Sequence, residues 1–195
     1  MDIIMCGVGG QGTVLASRVV GETAIKQGYE VRTSEIIGMA QREGPVVSQV
    51  RIGTKLHGPL IPDASAVYLL GFELAETVRN IDKLDARGQA LVNTHMIVPP
   101  TVYLGISKYS EEELIEYLRE QTSGLVLINA NELADQAGST KAVSAVMLGA
   151  FAGLCPDIDE TMLLKELLAR LPERVQEINT RAFRLGKEFV EGETR

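Results

Sequence analysis

The segment Gly7-Val-Gly-Gly-Gln-Gly12 has four glycines in six positions and is the first place in the chain where chemistry could reside. Glycines let a backbone turn tightly and come close to an anion, and a helix opening directly behind them presents free amides and a partial positive charge. The segment follows a short apolar stretch, Asp2 to Cys6, which turns at Gly7, and a helical pattern follows it. That is the setting of a phosphate or dinucleotide cradle. Glu35, near the end of the next strand, stands where a ribose-binding carboxylate is looked for, so an independent NAD(P)-binding oxidoreductase is one reading of the turn. A plainer reading is that the glycines only permit close strand-to-helix packing. Gln11 among so many glycines exceeds that need, which favours an anionic ligand or a partner contact at Gly9, Gly10, Gln11 and Gly12.

A second dense segment runs from Thr33 to Gly53 and leads through Gly38, Gln41, Arg42 and Gly44 into the alternating stretch Val46 to Ile52. A loop of this composition between two strands is more often functional than idle. Arg42 could act as a fork for phosphate or carboxylate, and Gln41 as a neutral group that both donates and accepts. The alternative is a solvated loop with a surface arginine.

Other reactive groups are few. Cys6 and Cys155 are the two cysteines, far apart and in apolar settings, so no C-x-x-C pair exists to hold an iron-sulfur cluster or a four-cysteine zinc site. His57 and His95 are isolated from each other and read as loop or surface residues. With 19 Lys and Arg against 26 Asp and Glu the formal net charge is -7, which argues against binding nucleic acid over a broad surface. No apolar run approaches the roughly 20 residues of a membrane span. The N-terminus lacks the basic region and apolar length of a signal peptide, so a cytoplasmic protein is expected.

The elements that must position these groups alternate between strands and helices, the pattern of an α/β domain. Strands are expected at Ile3 to Cys6, Tyr29 to Ser34, Val46 to Ile52, Ala66 to Gly71, Ala90 to Asn93, Thr101 to Gly105 and Leu125 to Ile128. Helices are expected at Gly12 to Gln27, capped by Gly28, and at Glu111 to Gln121, opened by a capping box of Ser110 and Glu113. Beyond Asn129 the chain reads as helices only: Asn131 to Ala137, Lys141 to Leu154, Asp159 to Arg170 and Glu173 to Glu191. The stretch Ala142 to Phe151 is apolar on most helical faces and must be buried by the sheet, by neighbouring helices or by another subunit. A single domain over residues 1–195 follows, with a three-layer α/β/α architecture, a mixed, mostly parallel sheet and a helical part over about 130–195.

Taken together, the glycine turn, Ser34-Glu35, Gly38-Met-Ala-Gln-Arg42, Gly44, Val47-Ser48 and Val50-Arg-Ile-Gly53 resemble the gamma-type subunit of the 2-oxoacid:ferredoxin oxidoreductases. The likeness is greatest to the small (beta) subunit of indolepyruvate:ferredoxin oxidoreductase, and it extends to Pro59-Leu-Ile-Pro62, Val92-Asn-Thr94 with Pro99, and the apolar Ala142 to Phe151 helix. The resemblance implies a fold that is not a standard nucleotide-binding Rossmann unit. It also implies a division of labour in which a 2-oxoacid, here an aryl pyruvate, is oxidatively decarboxylated to an acyl-coenzyme A. Thiamine diphosphate and [4Fe-4S] clusters belong to a larger catalytic partner subunit, and ferredoxin accepts the electrons. This chain then contributes assembly and the coenzyme A side of the site, binds no cofactor tightly, holds no metal, has no catalytic residue and is inactive alone. By the same resemblance Gly9, Gly10, Gln11 and Gly12 face coenzyme A phosphates, and Gln41 and Arg42 lie on a loop facing the partner. In isolation the chain could form a homodimer. A ligand-free interaction subunit is the other alternative. The family pattern has His, Gly and a small residue where this chain has Ile37, Glu43 and Pro45; Glu43 sets a negative charge beside Arg42, and Pro45 removes an amide donor.

Overall fold

A computed structural model describes residues 1–39, 44–98, 102, 105 and 109–193. Six strands form one mixed sheet in the order β2-β3-β1-β4-β5-β6. They are β1 (Asp2–Val8), β2 (Glu30–Ile37), β3 (Pro45–Gly53), β4 (Ala66–Gly71), β5 (Leu84–Asn93) and β6 (Leu125–Ile128). β1, β4, β5 and β6 run parallel, while β3 lies antiparallel between β1 and β2. Among the described residues, seven α-helices with defined ranges accompany them: α1 (Thr13–Lys26), α2 (Leu74–Asn80), α3 (Glu111–Gln121), α4 (Ala130–Ala137), α5 (Val143–Leu154), α6 (Glu160–Ala169) and α7 (Glu173–Glu193). This is the α/β class with the mixed sheet and helical C-terminal part read from the sequence.

Alternation along β1 sorts the core into two layers. Ile3 and Met5 enter a large cluster with residues of α1 and α4 to α7, whereas Ile4 and Cys6 enter a smaller one with Leu74 of α2, Leu118 of α3 and Ile61. β1 is buried on both faces, which is why it reads as an apolar run without polar alternation. Helix α1 ends in a Schellman motif: Gly28 has φ +91°, its amide donates to Ile25 O and the Tyr29 amide to Ala24 O. The Ser110 half of the capping box forms, since the Ser110 hydroxyl accepts from the Glu113 amide at 3.4 Å.

Several expected boundaries move. β1 does not turn at Gly7 but continues to Val8, because Gly7 and Val8 pair with Val46 and Pro45 of β3. β2 runs on to Ile37, and β5 begins six residues earlier than expected, at Leu84. Helix α2 was not expected; it is a single short apolar-polar stretch whose pattern is too brief to show helical periodicity. Of the strand expected at Thr101 to Gly105, only Val102 and Gly105 are described, and the Gly105 amide donates to Val102 O across a turn at φ +69°.

The apolar helix needs no other subunit to bury it. Every residue of α5 from Val143 to Phe151 is buried within this chain, against the sheet and against α7. The two helices approach through glycines: a methyl on Gly149 would lie 1.8 Å from Phe183 O, and one on Gly186 would lie 2.0 Å from Val146 O. Of the three means of burial expected for this helix, the sheet and a neighbouring helix supply it.

Lys26 of α1 reaches across to Glu166 of α6, which Arg170 also contacts at 3.3 Å. The Lys26 ammonium, and behind it Arg170, holds the Glu166 carboxyl below the usual carboxylate range. The sign follows from linkage: a depressed folded-state pKa adds stability above the unfolded value, near 4.3, and that stability is lost as pH falls. Denaturant unfolding of the native chain and Glu166→Gln should differ at pH 7, and the difference should shrink only as pH falls from about 4.3 through the lower folded-state pKa of Glu166.

Candidate functional site

Where the connections of an α/β sheet leave in opposite directions, a crevice opens beyond the carboxyl ends of the strands. From β1 the chain crosses by α1 to β2 on one side, and the strands from β4 onward proceed to the other. The switch point thus lies between β1 and β4, and the glycine turn sits on it.

The turn is built by a few specific contacts. Gly10 and Gly12 adopt φ +95° and +88°, conformations that side chains with a Cβ rarely take. Gly12 is the N-cap of α1, and a Cβ there would also lie 2.8 Å from Ser144 Cβ. The Gly9 amide donates to Gly44 O at 2.9 Å, and Gln11 N to Val8 O at 3.3 Å. The Gln11 carboxamide is turned inward: Oε1 accepts from the Val8 amide at 2.9 Å and Nε2 donates to Phe72 O at 3.0 Å. It clamps the turn to the end of β4 and does not project from it. Gly7 makes room for that clamp, since its Cβ would stand 2.6 Å from Gln11 Oε1. The amides of Gly10, Gly12 and Thr13 have no acceptor among the described residues, and the first turn of α1 carries no acidic residue. Thr13 Oγ1 beneath the turn is buried and also has no partner among the described residues.

The opposite wall is arranged differently. Phe72 O accepts a second amide, Asn93 Nδ2 at 3.1 Å, and Asn93 Oδ1 in turn accepts from Ala130 N at 3.0 Å. One buried asparagine thereby ties together the ends of β4 and β5 and the start of α4. Glu73, 2% exposed, caps α2 by accepting from the Glu76 amide at 2.9 Å, and its other oxygen accepts from Tyr109 OH. Burial, reinforced by Glu73, pushes the Tyr109 phenol up, and burial raises the Glu76 carboxyl despite Arg79 beside it. A carboxylate of the chain itself therefore occupies the N-terminus of α2. Among the described residues the α1 N-terminus, unlike that of α2, lacks a side-chain cap and keeps amides without a protein acceptor, the arrangement to which an anion is drawn.

Gly9, Gly10, Gln11 and Gly12 thus share one turn at the switch point, with Gln11 facing inward. Gln41, Arg42 and Glu43 lie outside the described residues, although the Gly9 to Gly44 bond brings the flank of their segment to the turn. Pro45 packs against Gly38, whose Cβ would lie 2.6 Å from Pro45 Cδ; Gly38 N donates to Pro45 O, and the proline offers no return bond. Ile37 is 63% exposed at the end of β2. Glu35 does not border the turn: β3 separates β2 from β1, and Glu35 lies 3.6 Å from Arg18. The ribose contact imagined for it requires β2 beside β1. His57 and His95 are exposed on loops, as read from the sequence. Cys6 and Cys155 are buried in the two different core layers, and burial pushes both thiols up. Among the described residues no three His, Cys, Asp or Glu side chains converge to hold a metal, so they do not fit an iron-sulfur cluster. Among the described residues no helix is long and apolar enough to cross a membrane. Glu73, Asn93 and Thr13 escape sequence reasoning because no spacing pattern joins them; the Asn at the end of an expected strand is the only cue.

Comparison with known proteins places this geometry. Residues 2–189 match the family described as Pyruvate ferredoxin/flavodoxin oxidoreductase. The chain is 37% identical over 188 residues to indolepyruvate oxidoreductase subunit IorB of Methanothermobacter thermautotrophicus, covering 95% of each. The gamma subunit of keto/oxoacid ferredoxin oxidoreductase from Geobacter sulfurreducens has the same fold, with a TM-score of 0.71 at 23% identity and 98% of both chains covered. So does part of 2-oxoglutarate:ferredoxin oxidoreductase from Magnetococcus marinus, with a TM-score of 0.73 at 21% identity over 98% of this chain and 31% of that one. With nearly its whole length matched, the chain belongs to the pyruvate ferredoxin/flavodoxin oxidoreductase family, as a small subunit of a multi-subunit 2-oxoacid:ferredoxin oxidoreductase.

Proposed function

We propose that this chain supplies the coenzyme A side of an oxidoreductase that decarboxylates an aryl pyruvate, indolepyruvate foremost, to its acyl-coenzyme A. The observation that carries the reading is the helix N-terminus at the switch point, where the amides of Gly10, Gly12 and Thr13 have no acceptor among the described residues. Phosphate oxygens of coenzyme A accept from these amides, and Gln11 keeps them aimed by holding the turn to Phe72. Gln41 and Arg42, on the neighbouring segment, complete the anion site and face the larger subunit. Indolepyruvate is favoured by the relative that matches this chain end to end. The Magnetococcus structure was determined with coenzyme A bound, which fits a shared co-substrate.

Thiamine diphosphate and [4Fe-4S] clusters on the larger subunit supply decarboxylation and one-electron transfer to ferredoxin. The described residues of this chain contribute binding and assembly: they position an anion and exclude none of the chemistry of their partner. A tagged chain expressed in its native cells should bring down a larger subunit containing iron and thiamine diphosphate. Calorimetric titration of the complex with coenzyme A should give binding in the micromolar to millimolar range, with no heat from NADH. Tight NADH binding without any response to coenzyme A would establish the NAD(P)-dependent alternative instead.

A further inference from the structure

Among the described residues no strand pairs with the outer edge of β6, an edge of a kind that proteins usually guard. In its parallel ladder with β5, Ala90 N donates to Gly124 O and Thr94 N to Ile128 O, so Gly124, Val126 and Ile128 turn their backbone groups toward β5. Leu125 and Leu127 therefore turn theirs off the sheet, and no partner for them exists among the described residues. The strand reads Leu-Val-Leu-Ile, with no lysine, proline or bulge to discourage pairing. It is half-buried in a groove of about 480 Å³ between the end of α3 and the end of α7, lined by Arg119, Thr122, Ser123 and Glu193 beside the strand itself. The other edge, β2, is guarded by Glu30, Arg32 and Glu35.

The surroundings select the occupant. Arg119 also belongs to an adjoining depression lined by Glu112, Glu116 and Glu120, so acidic side chains dominate the approach on the α3 side and Glu193 stands on the α7 side. A second copy would bring the same acidic helix and another charge of -7 to this edge. A basic chain would be drawn to it.

We propose that the β6 edge receives an extended, lysine- or arginine-bearing segment of the larger partner subunit, which adds a seventh strand to the sheet. This rests on the reading of the chain as a subunit of a larger oxidoreductase. The backbone groups of Leu125 and Leu127 provide two donors and two acceptors, and alternate apolar side chains of the incoming strand continue the two core layers. Flanking basic residues answer Glu193 and the α3 glutamates.

Amide hydrogen exchange on the native chain, free and in the complex, tests this without any substitution. The Leu125 and Leu127 amides should exchange rapidly in the free chain and at least about a hundredfold more slowly in the complex, while Val126 and Ile128 are protected in both. Leu127→Pro removes one outward donor and spares the β5 ladder, so it should leave the fold intact and weaken binding of the larger subunit by about tenfold or more. If that variant fails to fold, the double reversal Glu120→Lys, Glu193→Lys on exposed sites should weaken the complex at low salt and lose its effect at high salt. Unprotected Leu125 and Leu127 amides in an intact complex would overturn the proposal and leave the subunit reading standing. Protection that appears in the free chain as its concentration rises would identify a second copy as the occupant and overturn it too. If no larger subunit copurifies at all, both readings fall.

Discussion

Gly10→Asp in the assembled enzyme should raise the KM for coenzyme A by about ten- to a hundredfold while leaving kcat at saturating coenzyme A nearly unchanged. Gly10 is exposed, a Cβ there meets nothing within 4 Å, and its φ of +95° lies in the region that Asn and Asp tolerate better than other side chains. Aspartate therefore changes the charge of the turn with little change of its shape. A carboxylate roughly 6 Å from a bound phosphate, at an effective dielectric near 20, opposes it by about 2–3 kcal/mol before screening, which sets the size of the effect. Gly10→Asn has the same shape without the charge and should stay within about threefold of the native KM. Both would report uniform binding, since phosphates distant from the reacting thiol interact alike in ground and transition states. Equal behaviour of the Asp and Asn variants in steady-state kinetics would remove coenzyme A phosphates from this turn.

The second large effect concerns stability. Gly149→Ala should destabilise the chain by about 3 kcal/mol or more and lower Tm by roughly 10 °C, with Gly186→Ala close behind. The obstacle in each case is main chain: the added methyl would stand 1.8 Å from Phe183 O or 2.0 Å from Val146 O, and a carbonyl in a helix cannot rotate aside as a side chain can. The two substitutions share one contact, so the double variant should cost less than the sum. Gly192→Ala, with open space around it near the end of the same helix, provides the control and should leave Tm within about 2 °C. Thermal unfolding followed by circular dichroism measures all four; a Gly149→Ala variant melting with the native chain would mean that α5 and α7 do not cross where they are described.

Much of this molecule was legible before its structure. Long, periodic or capped segments declared themselves: α1 between Gly12 and Gly28, α3 behind Ser110, and the C-terminal helices separated by Gly138, Pro156 and Pro172. Local physics suffices there, because caps and glycine φ values act within a few residues. The glycine turn was legible for the same reason. What escaped is short or non-local. Helix α2 spans too few residues to show a period, and Glu73, which fills its N-terminus, gains meaning only once α2 exists.

The amino-acid sequence by itself determined the α/β class, the glycine turn at a strand-to-helix junction, the scarcity of metal-binding and redox side chains, and the family resemblance. Tertiary structure alone decided that β3 inserts between β1 and β2, which takes Glu35 away from the turn and puts the switch point between β1 and β4. It alone turned Gln11 inward onto Phe72 and buried the apolar α5 against α7 within the same chain. The physical reason is range. Turn and cap energies depend on neighbours in sequence, whereas strand order, the destination of a carboxamide and the partner of an apolar helix depend on which distant surfaces meet.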